Sequence, residues 1–157
     1  MIEITAEGLS GHPFLHGMPR DHLAALAGTA RDVMFPARHR LFEDGDRATS
    51  FWLIQSGHVA LDLNVPGQGR MKIDTIGMGE LLGWSWLFPP YRWAFGAVAA
   101  SPVEAFEFDG RAVRACCASD PALGYELTQR LAHVLAKRLQ ATRVRLITAS
   151  SLPTGAR

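Results

Sequence analysis

FEDGDRATSFWLIQSGHVAL, residues 42–61, changes the hydrophobic period of the chain. Phe51 and Leu53, then Val59, Leu61 and Leu63, alternate at period two, the pattern of half-buried strands. The tetrads EDGD and QSGH bracket the first of these runs, and VPGQGR and GMGE follow downstream. They are turn signals, spaced about 8 to 12 residues apart. Several short strands so punctuated across residues 33–109 predict an antiparallel sandwich or barrel.

On either side the period lengthens. In RDHLAALAGTARD, residues 20–32, apolar groups recur at Leu23, Leu26 and Ala27, which predicts a short amphipathic helix between Pro19 and Gly28. Another short helix fits near Phe14 and Leu15. GRAVRACCAS, residues 110–119, can form a further one. A long helix follows, with Asp120 as N-cap and Pro121 at the first position, where its missing N–H costs nothing. Leu123, Leu127, Leu131, Val134 or Leu135, Leu139, Thr142 and Leu146 make a stripe at three- and four-residue steps. That stripe is longer than a barrel of this size needs for cover. Its distal part is expected to pair with a second copy as a short coiled coil, giving a homodimer; covering its own barrel is the alternative. The expected organisation is a tail (1–11), a helix-plus-barrel domain (12–118), a long helix (119–148) and a second tail (149–157).

Composition bounds the function. A chain of 157 residues, 48% apolar and 20% charged, suits one domain with a real core. No apolar run approaches the roughly 18 residues of a membrane span. MIEITAEGLSGHPF carries acids where a secretory signal would carry cations, so a cytoplasmic location is expected. Sixteen basic against 15 acidic residues leave no basic footprint for general nucleic-acid binding. Cys116 and Cys117 are adjacent, and neighbouring helical side chains diverge by about 100°, so free thiols are expected. The six histidines (12, 16, 22, 39, 58 and 133) show no ligand spacing, so no metal site is expected. No nucleophile–base or paired-carboxylate signature marks an enzyme.

The most unusual segment is GELLGWSWLFPPYRW, residues 79–93, with three of the four tryptophans. Helix, glycine-punctuated barrel and long helix, in that order, resemble the cyclic-nucleotide-binding domain. Phe42, Gly45, Ala48, Phe51, Trp52, Ile54, Gly57 and Val59 follow that family's pattern, and GMGELLGWSWLFPPYRWAFGAVAAS stands at its phosphate-binding cassette. AKRLQAT on the long helix is similar to catabolite-activator-type regulators, and the resemblance covers residues 12–148. It implies an α+β chain: an antiparallel β-barrel of double-stranded β-helix or jelly-roll type, flanked by short N-terminal helices and a long C-terminal one. It implies ligand contacts from Gly83, Trp84, Ser85, Arg92, Trp93 and Ala94. Arg138 and Thr142 would meet the ligand's base, one side chain arriving from the partner subunit. Gly45, Gly57 and Gly79 would be structural glycines. The ligand would be cyclic AMP, cyclic GMP or another phosphate-bearing small molecule, with no resident cofactor.

The chemistry of such a cassette follows from its residues. Gly83 lets backbone approach a ligand. A short helix begun at Gly83-Trp84-Ser85 would aim free N–H groups at an anion, with the Ser85 hydroxyl as a further donor. Arg92 offers a donor fork matching two phosphate oxygens, and a Pro89-Pro90 turn would swing it back towards that helix start. Two residues depart from the family. Trp84 stands where a ribose-binding glutamate is usual, and Glu80 aligns with the preceding turn and does not replace it. Trp93 stands where Ser, Thr or a small residue is usual. Losing a buried acceptor costs a hydroxyl-bearing ligand about 1–3 kcal/mol. The anion half of the site is therefore expected to persist without the ribose half, while the indoles of Trp84 and Trp93 could stack on an aromatic ring.

Two function classes result. One is a ligand sensor that signals through the long helix. The other is a ligand-free interaction or dimerisation scaffold, its pocket filled by its own tryptophans and its partner another protein. Arg92 discriminates, since a guanidinium without a ligand needs a carboxylate or solvent. Direct DNA binding is not expected, because no helix-turn-helix follows the long helix, and Lys137, Arg138, Arg143 and Arg145 read as a solvated face.

Overall fold

The alternation around residues 50–65 is realised as two adjacent strands, and glycine turns carry the chain between two facing sheets. The computed structural model describes residues 3–151. In chain order it contains α1 (Ala6–Ser10), a 3-10 turn (Pro13–Leu15), α2 (Arg20–Ala27), β1 (Ala30–Phe35), β2 (Arg40–Phe42), β3 (Ser50–Ser56), β4 (Val59–Val65), β5 (Gly69–Ile76), β6 (Leu81–Leu82), β7 (Gly96–Ala99), β8 (Val103–Asp109), α3 (Gly110–Ser119) and α4 (Pro121–Ser151). The strands form two four-stranded sheets, ordered β1-β8-β3-β6 and β2-β7-β4-β5. Every pairing is antiparallel. This interleaved order is a jelly roll, made of two sheets rather than one closed barrel.

Aromatic stacking fills the core. Phe51 lies between Trp86 and Phe108, at centroid distances of 4.4 and 4.6 Å. At the β3–β4 turn, Gly57 adopts φ 88°, and a Cβ there would stand 2.1 Å from the Pro102 carbonyl oxygen. Gly45 and Gly79 also take positive φ, 89° and 82°. In α4 only the first turns are buried, through Leu123, Leu127 and Leu131. Asp120 caps the helix as the sequence predicts, accepting from the N–H groups of Ala122 and Leu123. Both cysteines are free, and burial pushes the Cys117 thiol pKa up.

Two boundaries differ from the sequence reading. The stretch read as an N-terminal tail contains α1, capped by Thr5 and anchored by fully buried Leu9. One apolar side chain in a polar pentapeptide gives no period to read. The long helix continues to Ser151, so the second tail begins later, and residues 152–157 lie outside the described residues.

A charged ladder crosses the second sheet, with charges from β2, β4 and β5 meeting over β7. Arg40 on β2 grips Asp62 on β4 with both Nη atoms, at 3.1 and 2.7 Å, and Arg70 on β5 adds a bond of 3.0 Å. Glu43 closes the cluster, 3.3 Å from Arg40 and 3.0 Å from Arg70. Gly96 on β7 lies beneath: a Cβ there would meet Asp62 Oδ1 at 2.4 Å. The hydrogen bonds from Arg40 hold the Asp62 carboxyl pKa below its usual value, despite burial. A depressed carboxyl contributes stability that is present above its unfolded pKa, about 4, and lost as pH falls through the folded value. Asp62→Asn should therefore cost about 2 kcal/mol at neutral pH. In urea unfolding the gap between parent and variant should narrow on acidification below about pH 4; a gap unchanged down to pH 3 would show that the ladder is not held by charge.

Candidate functional site

The segment after β6 must bury three large rings within a few residues, and this dictates its path. Gly83 takes φ 101°, closed to most side chains. Trp86 is fully buried, and its indole N–H donates to the Gly83 carbonyl at 3.1 Å. Trp84, two residues earlier, leaves in another direction and rests half-buried against Phe88 and Phe95. No helix starts at Gly83-Trp84-Ser85. The segment is a series of turns, with one local bond from Leu87 N–H to the Trp84 carbonyl at 3.2 Å. In place of the expected helix, Gly83 takes a left-handed φ and the chain then runs through turns and bends to the Pro89-Pro90 bend. Ser85 is only 3% exposed, and its Oγ has no hydrogen-bond partner.

Beyond the Pro89-Pro90 bend the chain returns along residues 45–48. Gly45 N–H bonds the Trp93 carbonyl at 2.8 Å, Trp93 N–H the Asp46 carbonyl at 2.9 Å, and Ala48 N–H the Tyr91 carbonyl at 2.7 Å. This pairing turns Trp93 inward. Its ring stacks on Phe42 at 3.8 Å and 12°, with Trp52 behind at 6.0 Å. The far edge of the indole stands 2.9 Å from where a Gly83 Cβ would be. Gly83 is thus approached by an indole of the same chain.

Arg92, next to Trp93, faces the other way. It is exposed and bridges Arg47 through the backbone, and its Nη1 donates to the Gly45 carbonyl at 3.0 Å. That partner is a carbonyl, not a carboxylate. Ala94 is exposed beside it. The structure therefore gathers Gly83, Trp84, Ser85 and Trp93 on one side of the returning strand and sets Arg92 by the Gly45 turn. The bend does not swing Arg92 to the start of a helix, because the pairing with residues 45–48 assigns the inward position to Trp93.

Arg138 belongs to a neighbouring feature, and Thr142 lies one helical turn beyond it. Between α4 and the β5–β6 corner runs an open groove of about 1150 Å³, lined by Asp74, Glu80, Leu81, His133, Lys137 and Arg138 among others. Arg138 Nη2 donates to the carbonyl of Leu81, two residues before Gly83. Burial lowers the pKa of this guanidinium, and only the fields of Glu80 and Asp74 oppose that. Thr142 Oγ1 donates to the Arg138 carbonyl at 2.8 Å, so its hydroxyl is spent within the helix. Glu80 accepts the Gly77 N–H at 2.8 Å through one carboxylate oxygen and closes the preceding turn. Arg130 and Arg145, eight residues before and seven after Arg138, likewise donate to main-chain carbonyls, of Phe14 and Ile73. This row escapes a reading of the sequence, since carbonyl acceptors carry no side-chain signature. So does the bed that Phe42 and Trp52 make for Trp93.

Residues 32–120 match the family model for the cyclic nucleotide-binding domain. Over 127 residues the chain is 31% identical to the CRP-like cAMP-activated global transcriptional regulator of Mycobacterium tuberculosis, covering 80% of this chain and 54% of that protein. The chain thus spans about half the length of the curated relatives it matches. Among solved structures it is similar to a cyclic nucleotide-binding domain from Methylobacillus flagellatus (TM-score 0.77, 20% identity, 88% of this chain and 78% of that one). It is similar also to the Thermus thermophilus catabolite activator protein (TM-score 0.69, 25% identity, 88% and 63%). The jelly roll, the turn segment at the cassette position and the match across more than half of the sequence make this chain a member of the cyclic nucleotide-binding domain family.

Proposed function

We propose that the chain is a regulatory rather than catalytic domain that senses a small anionic ligand, a cyclic nucleotide or another phosphate-bearing molecule, and reports it through α4. The observation that carries this reading is Arg138: a half-buried guanidinium with a carbonyl as its hydrogen-bond partner, in the wall of a groove, at the root of the cassette. A phosphate is a better partner for a guanidinium than a carbonyl, since it carries a full negative charge and two of its oxygens can accept the donor fork at once. A ligand that took over Arg138 would release α4 from Leu81 and let the helix dock anew. The unpartnered hydroxyl of Ser85 supplies a further donor, and Arg92 an exposed one at the rim. Such a domain works in the cytoplasm.

A second reading has its own observation. Trp93 occupies the space over Gly83 and packs on Phe42 as core does. In a ligand-free scaffold it would stay there, and α4 would be the working surface for another protein. A ligand entering the cassette itself must displace this indole, at a cost of about 2–3 kcal/mol of lost burial. The sensor reading therefore places the ligand first against Arg138.

The apolar end of α4 supports a homodimer. Leu139, Val144, Leu146 and Ile147 are exposed, the last two by 66% and 67%. With Leu135 and Thr142, Leu139 and Leu146 continue the three- and four-residue spacing that a two-helix seam requires.

Thermal unfolding in the presence of cyclic AMP, cyclic GMP, dinucleotides and inorganic phosphate tests the sensor. At least one should raise Tm, by the equivalent of about 2.7 kcal/mol at a hundredfold excess over Kd. Arg138→Met should remove most of that rise while leaving the unliganded protein folded. No shift from any compound would overturn the sensor in favour of the scaffold. Sedimentation velocity tests the dimer: the parent should sediment as a dimer at tens of micromolar and the Leu139→Glu, Leu146→Glu variant as a monomer of unchanged fold. A monomeric parent would refute it.

A further inference from the structure

Away from the groove's cassette end, the first turn of α2 meets the corner between α3 and α4. His22 faces this junction with its side chain only 10% exposed. Its Nδ1 lies 3.0 Å from Glu126 Oε1. Glu126 is itself fixed, because Arg130 donates to Oε2 at 2.8 Å from Nη2 and 3.3 Å from Nε. Arg130 in turn is held by the Phe14 carbonyl at 2.8 Å. An anchored carboxylate beside Nδ1 places the proton of a neutral imidazole there and leaves the lone pair on Nε2.

That lone pair has no hydrogen-bond partner among the described residues. Its nearest charged neighbour is Asp120 Oδ2 at 3.7 Å, too long for a hydrogen bond. Capping α4 orients Asp120, whose Oδ1 accepts from Ala122 and Leu123 while Oδ2 is left facing His22. Asp21, exposed beside it, completes a group whose donor atoms all lie within 4.8 Å of one another. A lone pair and two carboxylates turned towards one space repel each other, and a cation between them would relieve that repulsion. The Glu126–Arg130 pair is neutral in sum and offers none.

We propose that this junction is a binding site for one divalent transition-metal ion of the zinc class, ligated by His22 Nε2, Asp120 Oδ2 and an Asp21 carboxylate oxygen. Ligands about 2.0–2.1 Å from a tetrahedral zinc stand about 3.4 Å apart, and the Nε2–Oδ2 separation is within a few tenths of that. The Glu126–His22 bond is the outer carboxylate that metal-bound histidines use to fix tautomer and ring direction. An imidazole donor disfavours calcium and magnesium, which take oxygen ligands. His22 also borders the open groove, which gives the ion a path from solvent, and the exposed side of Asp21 leaves room for water as a fourth ligand. The ion would join the N-terminal helices to the foot of α4. The alternative occupant of the same space is a proton, making His22 an imidazolium clamped by carboxylates.

Equilibrium dialysis of the full chain, stripped with chelator and then exposed to Zn²⁺, should show one ion bound per chain, and Co²⁺ should give visible ligand-field bands. The double variant Asp21→Asn, Asp120→Asn keeps the helix cap, because Asn caps as well as Asp. It should bind Zn²⁺ at least tenfold more weakly, with its metal-free Tm near that of the parent. In ¹⁵N spectra Zn²⁺ should shift Nε2 of His22 while Nδ1 stays protonated. No uptake, uptake unchanged in the double variant, or an imidazolium spectrum indifferent to Zn²⁺ would each overturn the proposal.

Discussion

Trp93 lying flat on Phe42, with its edge over Gly83, is the contact around which the cassette region is organised. It requires the residue at 83 to lack a side chain, and it requires strand-like pairing of residues 91–93 with 45–48 to aim the ring inward. Adjacent side chains on an extended segment point to opposite faces. Once Trp93 is inside, Arg92 must be outside. The position of the cation is therefore a consequence of where the indole went, and both differ from the arrangement that Arg92 and a small neighbour would produce.

A second regularity concerns guanidinium groups. Arg92, Arg114, Arg130, Arg138 and Arg145 each donate to a main-chain carbonyl, of Gly45, Trp86, Phe14, Leu81 and Ile73. Carbonyls at turns and strand ends need partners when the neighbouring strand is short, as two-residue β6 is. Long arginine stems reach them from helices without demanding a buried carboxylate. The compact set of charge pairs around Asp62 sits instead on the sheet that does not contain β6, where β2, β4 and β5 each lend a charged group.

What can be read from the sequence is local. Period-two alternation at Phe51–Leu63, the glycine turns and the Asp120-Pro121 helix start depend on neighbours in the chain, and all three are in the structure. The inward turn of Trp93 is not legible, since an indole beside an arginine has no intrinsic side; the hydrogen bonds to Gly45 and Asp46 decide it. A helix at Gly83 is the expectation when free amides alone are considered, and the structure has a left-handed glycine followed by turns there instead. The Asp62 ladder and the His22 junction join residues far apart in number, on which spacing rules are silent.

The row of arginines along α4 has a consequence for how the chain can vary. Their acceptors include peptide oxygens, which every amino acid carries, so that part of the attachment is encoded by backbone position, although Arg145 also reaches the Asp74 carboxylate at 3.6 Å. Phe14, Leu81 and Ile73 can be exchanged for other residues of suitable bulk without touching the tether. The polar part of the docking resides in three side chains of one element, beside the buried Leu123, Leu127 and Leu131, and exchange of the acceptor residues leaves that polar part intact.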